Sequence, residues 1–167
     1  MLFKKRSRPA AVPAAPESLE AVVRQELGAA DAETTAIVTA IAGLLASVAY
    51  ADRQVTAEEE ALLKRELARI QGLDERGVSA IYRALSEHIV QISTTERPRY
   101  TRILKEHADR DLRYQVLQIL VDLAAADDTI SHNEVTVLRT ITTALGLTQN
   151  DYNELQAQHR DKLGSLR

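Results

Sequence analysis

Two short stretches carry acidic residues at one spacing. Asp52 and Glu59 flank "RQVTAE", and Asp127 and Glu134 flank "DTISHN". Carboxylate oxygens are hard ligands of the kind Ca²⁺ and Mg²⁺ take, and carboxylates crowded together hold raised pKa values unless something cationic sits among them. The same residues also have a simpler role. Thr56-Ala-Glu-Glu59 and Ser131-His-Asn-Glu134 both fit a capping box, in which the hydroxyl accepts from the N3 amide and the Glu side chain accepts from the N-cap amide. Asp52 and Asp127 suit turns just past a helix, where the side chain binds its own backbone. Both readings stay open on spacing alone.

One ion site is excluded by register. With Glu134 at position 12 of a calcium-binding EF-hand loop, Asp127 takes position 5 and positions 1 and 3 become Leu123 and Ala125; Val48 and Tyr50 fall there in the first stretch. Those positions need oxygen ligands, and the glycine of position 6 is Arg53 or Asp128. Neither copy is an EF-hand. His132 follows a helix cap, so its ring should point to solvent, while His88 and His107 read as core-edge histidines; His159 lies toward a fraying end. Gly-rich phosphate loops, nucleophile elbows and His-Glu-x-x-His are absent. The chain has no Cys, which rules out thiolate nucleophiles and Cys-ligated zinc or iron-sulfur clusters. With one Met and no recognisable redox-cofactor motif, direct redox chemistry by this chain is disfavoured.

The elements that must hold the four acids are helical. Six Gly and four Pro among 167 residues, with scarce aromatics, favour helices around an aliphatic core. Ser18 caps a short first helix that stops near Gly28. Ile37, Ile41, Leu44, Leu45 and Val48 mark a second helix, and Leu63, Leu67 and Ile70 a third ending near Gly72. Val78, Ile81, Tyr82, Leu85, Ile89 and Ile92 form the cleanest stripe, a fourth. A fifth should begin at "TTERPRY", capped by Thr94 or Thr95 with Pro98 in the tolerated first turn. "DRDLRYQVLQILVDLAAAD", "SHNEVTVLRTITTALG" and "TQNDYNELQAQHRDKL" complete the set. Strand alternation is missing, so the expected class is all-α, a compact bundle of about seven to eight helices.

The stretch 44–73 aligns with 119–147: an apolar helix ends in Ala-Asp, then come a β-branched residue, Thr or Ser, and Glu. Two copies at an offset of 75 residues do not make a solenoid. They suggest two helix-loop-helix units related by a pseudo-twofold.

The repeated pattern Ala-Asp, Val or Ile, Thr or Ser, Glu, ending in "ALGL", resembles the TerB-like superfamily over roughly residues 30–157. That superfamily includes the tellurite-resistance TerB proteins and the N-terminal domain of DjlA-type co-chaperones. The resemblance implies an all-helical, pseudo-symmetric domain over 17–163 and a divalent cation, Ca or Mg, held by Asp52, Glu59, Asp127 and Glu134. The glycine usual after each Asp is here Arg53 and Asp128, and the added charge at Arg53 makes the second copy the better candidate. The implied role is a non-enzymatic module that binds partner proteins in stress or envelope-associated complexes. Two alternatives stand beside it: a metal-free scaffold, and a carboxylate-metal hydrolase, which would need an open coordination position and a general base.

Charge divides the chain. Lys4, Lys5, Arg6 and Arg8 give residues 1–16 a charge of +4, so the net −3 leaves −7 on the remainder. An acidic body argues against nucleic acid, which needs clustered Lys and Arg. Pro9, Pro13 and Pro16 make 1–16 a flexible tail, and Met1, Leu2 and Phe3 beside "KKR" suit weak contact with an anionic membrane. No secretory h-region follows these charges, and no run approaches the ~18 apolar residues of a span; the expected location is cytoplasmic, at most peripheral to the inner membrane. Arg97, Arg99, Arg102, Lys105, Arg110 and Arg113 form a basic band, read as a solvated face with an acidic partner protein as the alternative.

Overall fold

The computed structural model of the protein describes residues 18–164; the expected flexible tail and the membrane contact expected of it lie outside the described residues. Among the described residues, nine α-helices and one π turn follow in order: α1 (Leu19–Glu26), α2 (Ala32–Ala49), α3 (Ala57–Ala68), α4 (Glu75–Glu87), the single turn α5 (Ile89–Gln91), the π turn (Ile92–Glu96), α6 (Arg97–His107), α7 (Arg110–Ala124), α8 (His132–Ala144) and α9 (Gln149–Gly164). No strand occurs among the described residues, so the chain is an all-α bundle.

Helix starts follow local chemistry. Ser18, Asp31, Thr56, Asp74, Asp109 and Ser131 each accept a hydrogen bond from the backbone N–H three residues on, satisfying a donor that the first turn leaves without a helical partner. Thr148 and Asp151 do the same reciprocally for α9, each side chain accepting from the other's amide at 3.1 and 2.8 Å. Gly146, at φ +72° directly after the C-cap Leu145, ends α8 in left-handed backbone, and Gly72, at φ +94°, takes the same conformation in the turn that follows α3.

α2 is the central element. It packs against α1, α3, α4, α6, α7, α8 and the π turn, and Ala40, Ala42, Leu44, Leu45 and Val48 are all within 2% of full burial. By length and composition α2 is long and apolar enough to cross a membrane, contrary to the expectation that no run approaches that length. Packing explains its apolarity: 67% of the segment is buried inside the bundle, where a core helix is hydrophobic on most sides. At Gly43 the Tyr100 ring of α6 lies so close that a Cβ would overlap it.

The start of the fifth predicted helix differs from expectation. Neither Thr94 nor Thr95 caps it. The chain passes from α5 through the π turn into α6, with Pro98 in the first turn of α6. Pro98 has no N–H for the carbonyl of Thr94, so an α-helical register cannot be completed there. Ser93 and Thr94 turn their hydroxyls back to Ile89 O (2.7 Å) and Val90 O (2.6 Å), a bonding pattern that bends helices.

Candidate functional site

The two loops that carry the acids repeat one another in backbone detail. α2 ends at Tyr50 (φ −94°, ψ 8°) and α7 at Ala125 (φ −93°, ψ 9°). Arg53 N donates to Tyr50 O at 2.8 Å, and Asp128 N to Ala125 O at 3.0 Å. Thr56 and Ser131 then open α3 and α8 with complete capping boxes. α2 packs on α7 and on α8, and α3 on α7, which sets the loops side by side. Asn133 Nδ2 donates to Asp52 Oδ1 at 2.9 Å, joining one copy to the other.

Glu59 and Glu134 are 4% and 3% exposed. Each uses one oxygen in its capping box: Glu59 Oε2 accepts from Thr56 N at 2.9 Å and Glu134 Oε1 from Ser131 N at 3.0 Å. Glu134 Oε2 is buried without a hydrogen-bond partner. Burial is the main force raising both carboxyl pKa values, Glu134 to about 7. The caps oppose it, and the charges of Asp52 and a second acid add to it: Asp127 for Glu59, and Glu59 for Glu134. Asp52 and Asp127 are exposed. Asp127 Oδ1 accepts from Thr129 N at 3.2 Å and from Thr129 Oγ1 at 3.3 Å, the expected turn closure.

All four predicted acids therefore occupy one electrostatic neighbourhood, and both capping boxes form. The all-oxygen donor set and the orphaned Glu134 Oε2 fit a hard cation. Convergence is incomplete, because no group of three or more His, Cys, Asp or Glu side chains among the described residues is set around a single ion position. In this conformation the site is a charge cluster whose exposed members, Asp52 and Asp127, are held to Asn133 and Thr129.

Histidines stay outside the cluster chemistry. The His132 ring is exposed as expected. His107 is exposed rather than core-edge, with Nδ1 3.7 Å from Glu33 Oε2 on the surface. His88 and His159 are half-buried.

Sequence reasoning missed Asn133, Tyr152 and the backbone role of Arg53. Tyr152 is fully buried, its hydroxyl without a partner, and the Glu134 charge helps raise its pKa after burial does. Nothing in the sequence signals that proximity. Arg53 and Asp128 are the two non-glycine residues at positive φ among those described, +60° and +69°. The glycine expected there meets a backbone requirement: left-handed geometry costs an ordinary L-residue about 1–2 kcal/mol, while Asp tolerates it better. Arg53→Gly should therefore stabilise the protein by about 0.5–1 kcal/mol after the entropy gained by the unfolded chain, and Asp128→Gly by less. Urea unfolding of both variants checks this, and a destabilised Arg53→Gly would contradict it.

A family model described as tellurite resistance protein TerB matches residues 38–157. Neither the curated proteins nor the solved structures contain a match to the chain.

Proposed function

Because the chain belongs to the tellurite resistance protein TerB family, we propose that it is a non-enzymatic helical module that binds partner proteins in a divalent-ion-responsive way, within stress-related or envelope-associated assemblies. The supporting observation is Glu134 Oε2, a buried carboxylate oxygen with no partner, in a neighbourhood that also holds Glu59 and Asp52. An unpaired buried charge is costly, and a Ca²⁺ or Mg²⁺ ion would neutralise it. In this reading Asp52, Glu59, Asp127 and Glu134 hold the ion, and the Asn133–Asp52 hydrogen bond carries its effect between the two loops. Partner binding takes place in the cytoplasm, with Lys4, Lys5, Arg6 and Arg8 available to an anionic inner-membrane surface.

Titration calorimetry of the full chain with CaCl₂ and MgCl₂ tests the ion. We expect saturable binding that strengthens as pH rises, since the ligand must be ionised, and its loss in Glu134→Gln, which keeps an acceptor at N3 of the cap. Absence of heat and of any melting shift with either ion would leave the second reading, a metal-free scaffold. The completed capping boxes favour that reading, because they account for both glutamates without an ion.

A further inference from the structure

We infer that the cleft between the end of α2, the π turn and α8 is a docking site for a partner segment pairing an acidic side chain with an adjacent apolar one; this rests on the partner-binding reading above. The cleft is about 420 Å³ and is lined by Tyr50, Arg53, Val90, Ser93, Arg97 and Val137 among others. A second, mainly apolar pocket of about 170 Å³ adjoins it, sharing Tyr50 and Arg53 and lined by Val55, Leu63, Tyr82 and Ile89.

Three observations point to this occupant. Arg97 differs in burial from Arg102 and Lys105 of the basic band, which also lack an ion pair among the described residues but are both exposed. Arg99 pairs with Glu20 and Glu96, Arg110 with Asp151, and Arg113 donates to Asp109 O and Leu145 O, whereas neither Arg97 nor Arg53 has an acid within ion-pair distance among the described residues. Arg97 is half-buried, and burial alone accounts for its lowered pKa, with no carboxylate opposing it. A desolvated guanidinium without a partner recognises a carboxylate through paired N–H donors. Secondly, Val55 and Val90, the two exposed large hydrophobics among the described residues, sit one in each pocket. Thirdly, the apolar pocket has the size of an aromatic ring: an apolar cavity of about 150 Å³ takes benzene, which matches one side chain and is too small for a lipid acyl chain. The hydroxyls of Ser93 and Thr94 are spent on Ile89 O and Val90 O, so the arginines supply the charged donors. Arg53 is, moreover, in left-handed backbone where glycine would be easier, at a position that lines both pockets.

The test is an array of blocked octapeptides in which one Glu stands one to four residues from one Leu, Val or Phe, probed with the full chain, followed by fluorescence anisotropy on the best peptide. We expect binding that falls at least tenfold in Arg97→Gln and in Arg53→Gly, a variant that relieves rather than strains the loop, and that is partly restored by Arg97→Lys. Replacing the peptide's Glu by Gln or its apolar residue by Ser should each weaken it. Binding unchanged by both arginine variants would overturn the cleft while leaving a peptide-binding module in place. An array with no binder overturns the cleft as well; cross-linking of a defined partner that survives Arg97→Gln would then show that the module binds elsewhere. Equal binding of inorganic phosphate, or of phosphatidylglycerol vesicles without peptide, would overturn the assignment in favour of a general anion site.

Discussion

Glu134→Gln is expected to be more stable than the parent protein at pH 8 and no different from it at pH 5. The Glu134 carboxyl has a folded pKa of about 7 against an ordinary 4.5, so folding takes up a proton there between those values. Its stabilising share is complete below about pH 4.5 and declines as pH climbs through 7, the reverse of ordinary acid denaturation. The decline between pH 5 and 8 is about 2–3 kcal/mol at 1.36 kcal/mol per pH unit. For a domain of this size it corresponds to about 5–10 °C in melting temperature. Gln cannot ionise, so the variant's curve should lose the Glu134 share and keep only the shallower decline that Glu59 contributes. Glu59 is shifted in the same direction and adds to the parent's slope. Asp31, Glu60 and Asp151, lowered by their hydrogen bonds, act only toward acid pH. Saturating calcium should restore the parent at pH 8 if the cluster holds the ion. Parallel melting curves for parent and variant from pH 5 to 8 would show that Glu134 is ionised throughout.

The second large effect is at Gly43. Alanine in mid-helix is ordinarily favoured over glycine by about 1 kcal/mol, so an unconstrained Gly43→Ala would stabilise α2. Here the new methyl would overlap the face of Tyr100, a ring only 3% exposed and packed between α6 and α2. Forcing an extra methyl into a filled core costs about 1–3 kcal/mol, sometimes more. The expected net result is a loss of about 2 kcal/mol, read by urea unfolding. The mechanism has its own control: in a Tyr100→Leu background the ring is gone, and Gly43→Ala should become neutral or stabilising. The same loss in both backgrounds would place the cause elsewhere.

These two effects divide what could be read from the chain from what could not. The positions of helix starts were legible because Ser18, Thr56 and Ser131 announce them by local hydrogen bonding. The stripe from Val78 to Leu85 was legible by its period. The capping role of Glu59 and Glu134 followed from spacing as well. Their burial did not, since it depends on how α2 and α3 meet α7 and α8, contacts that span most of the sequence. Tyr100 against Gly43 is invisible for the same reason. The π turn escaped because Thr94, Thr95 and Pro98 carry the composition of a helix start, and only the path of the preceding helix shows that none occurs. Arg97 looked like one more member of a surface band. Arg53 looked like a charge substituted for glycine, whereas the larger consequence lies in its backbone torsion.

The π turn also resolves a problem of angular phase. Ile92 and Tyr100 are both buried, at 1% and 3% exposure, and the segments carrying them both pack on α2. In an unbroken α-helix, eight residues at about 100° each would rotate one about 80° away from the other. A π turn absorbs one extra residue; counted as seven steps, the two come to within about 20° of a common line. Leu104 then falls on that line too. The wider turn works as a spacer that lets consecutive helices present one continuous dry seam to α2, and the residue it takes up brings Arg97 round to the cleft edge.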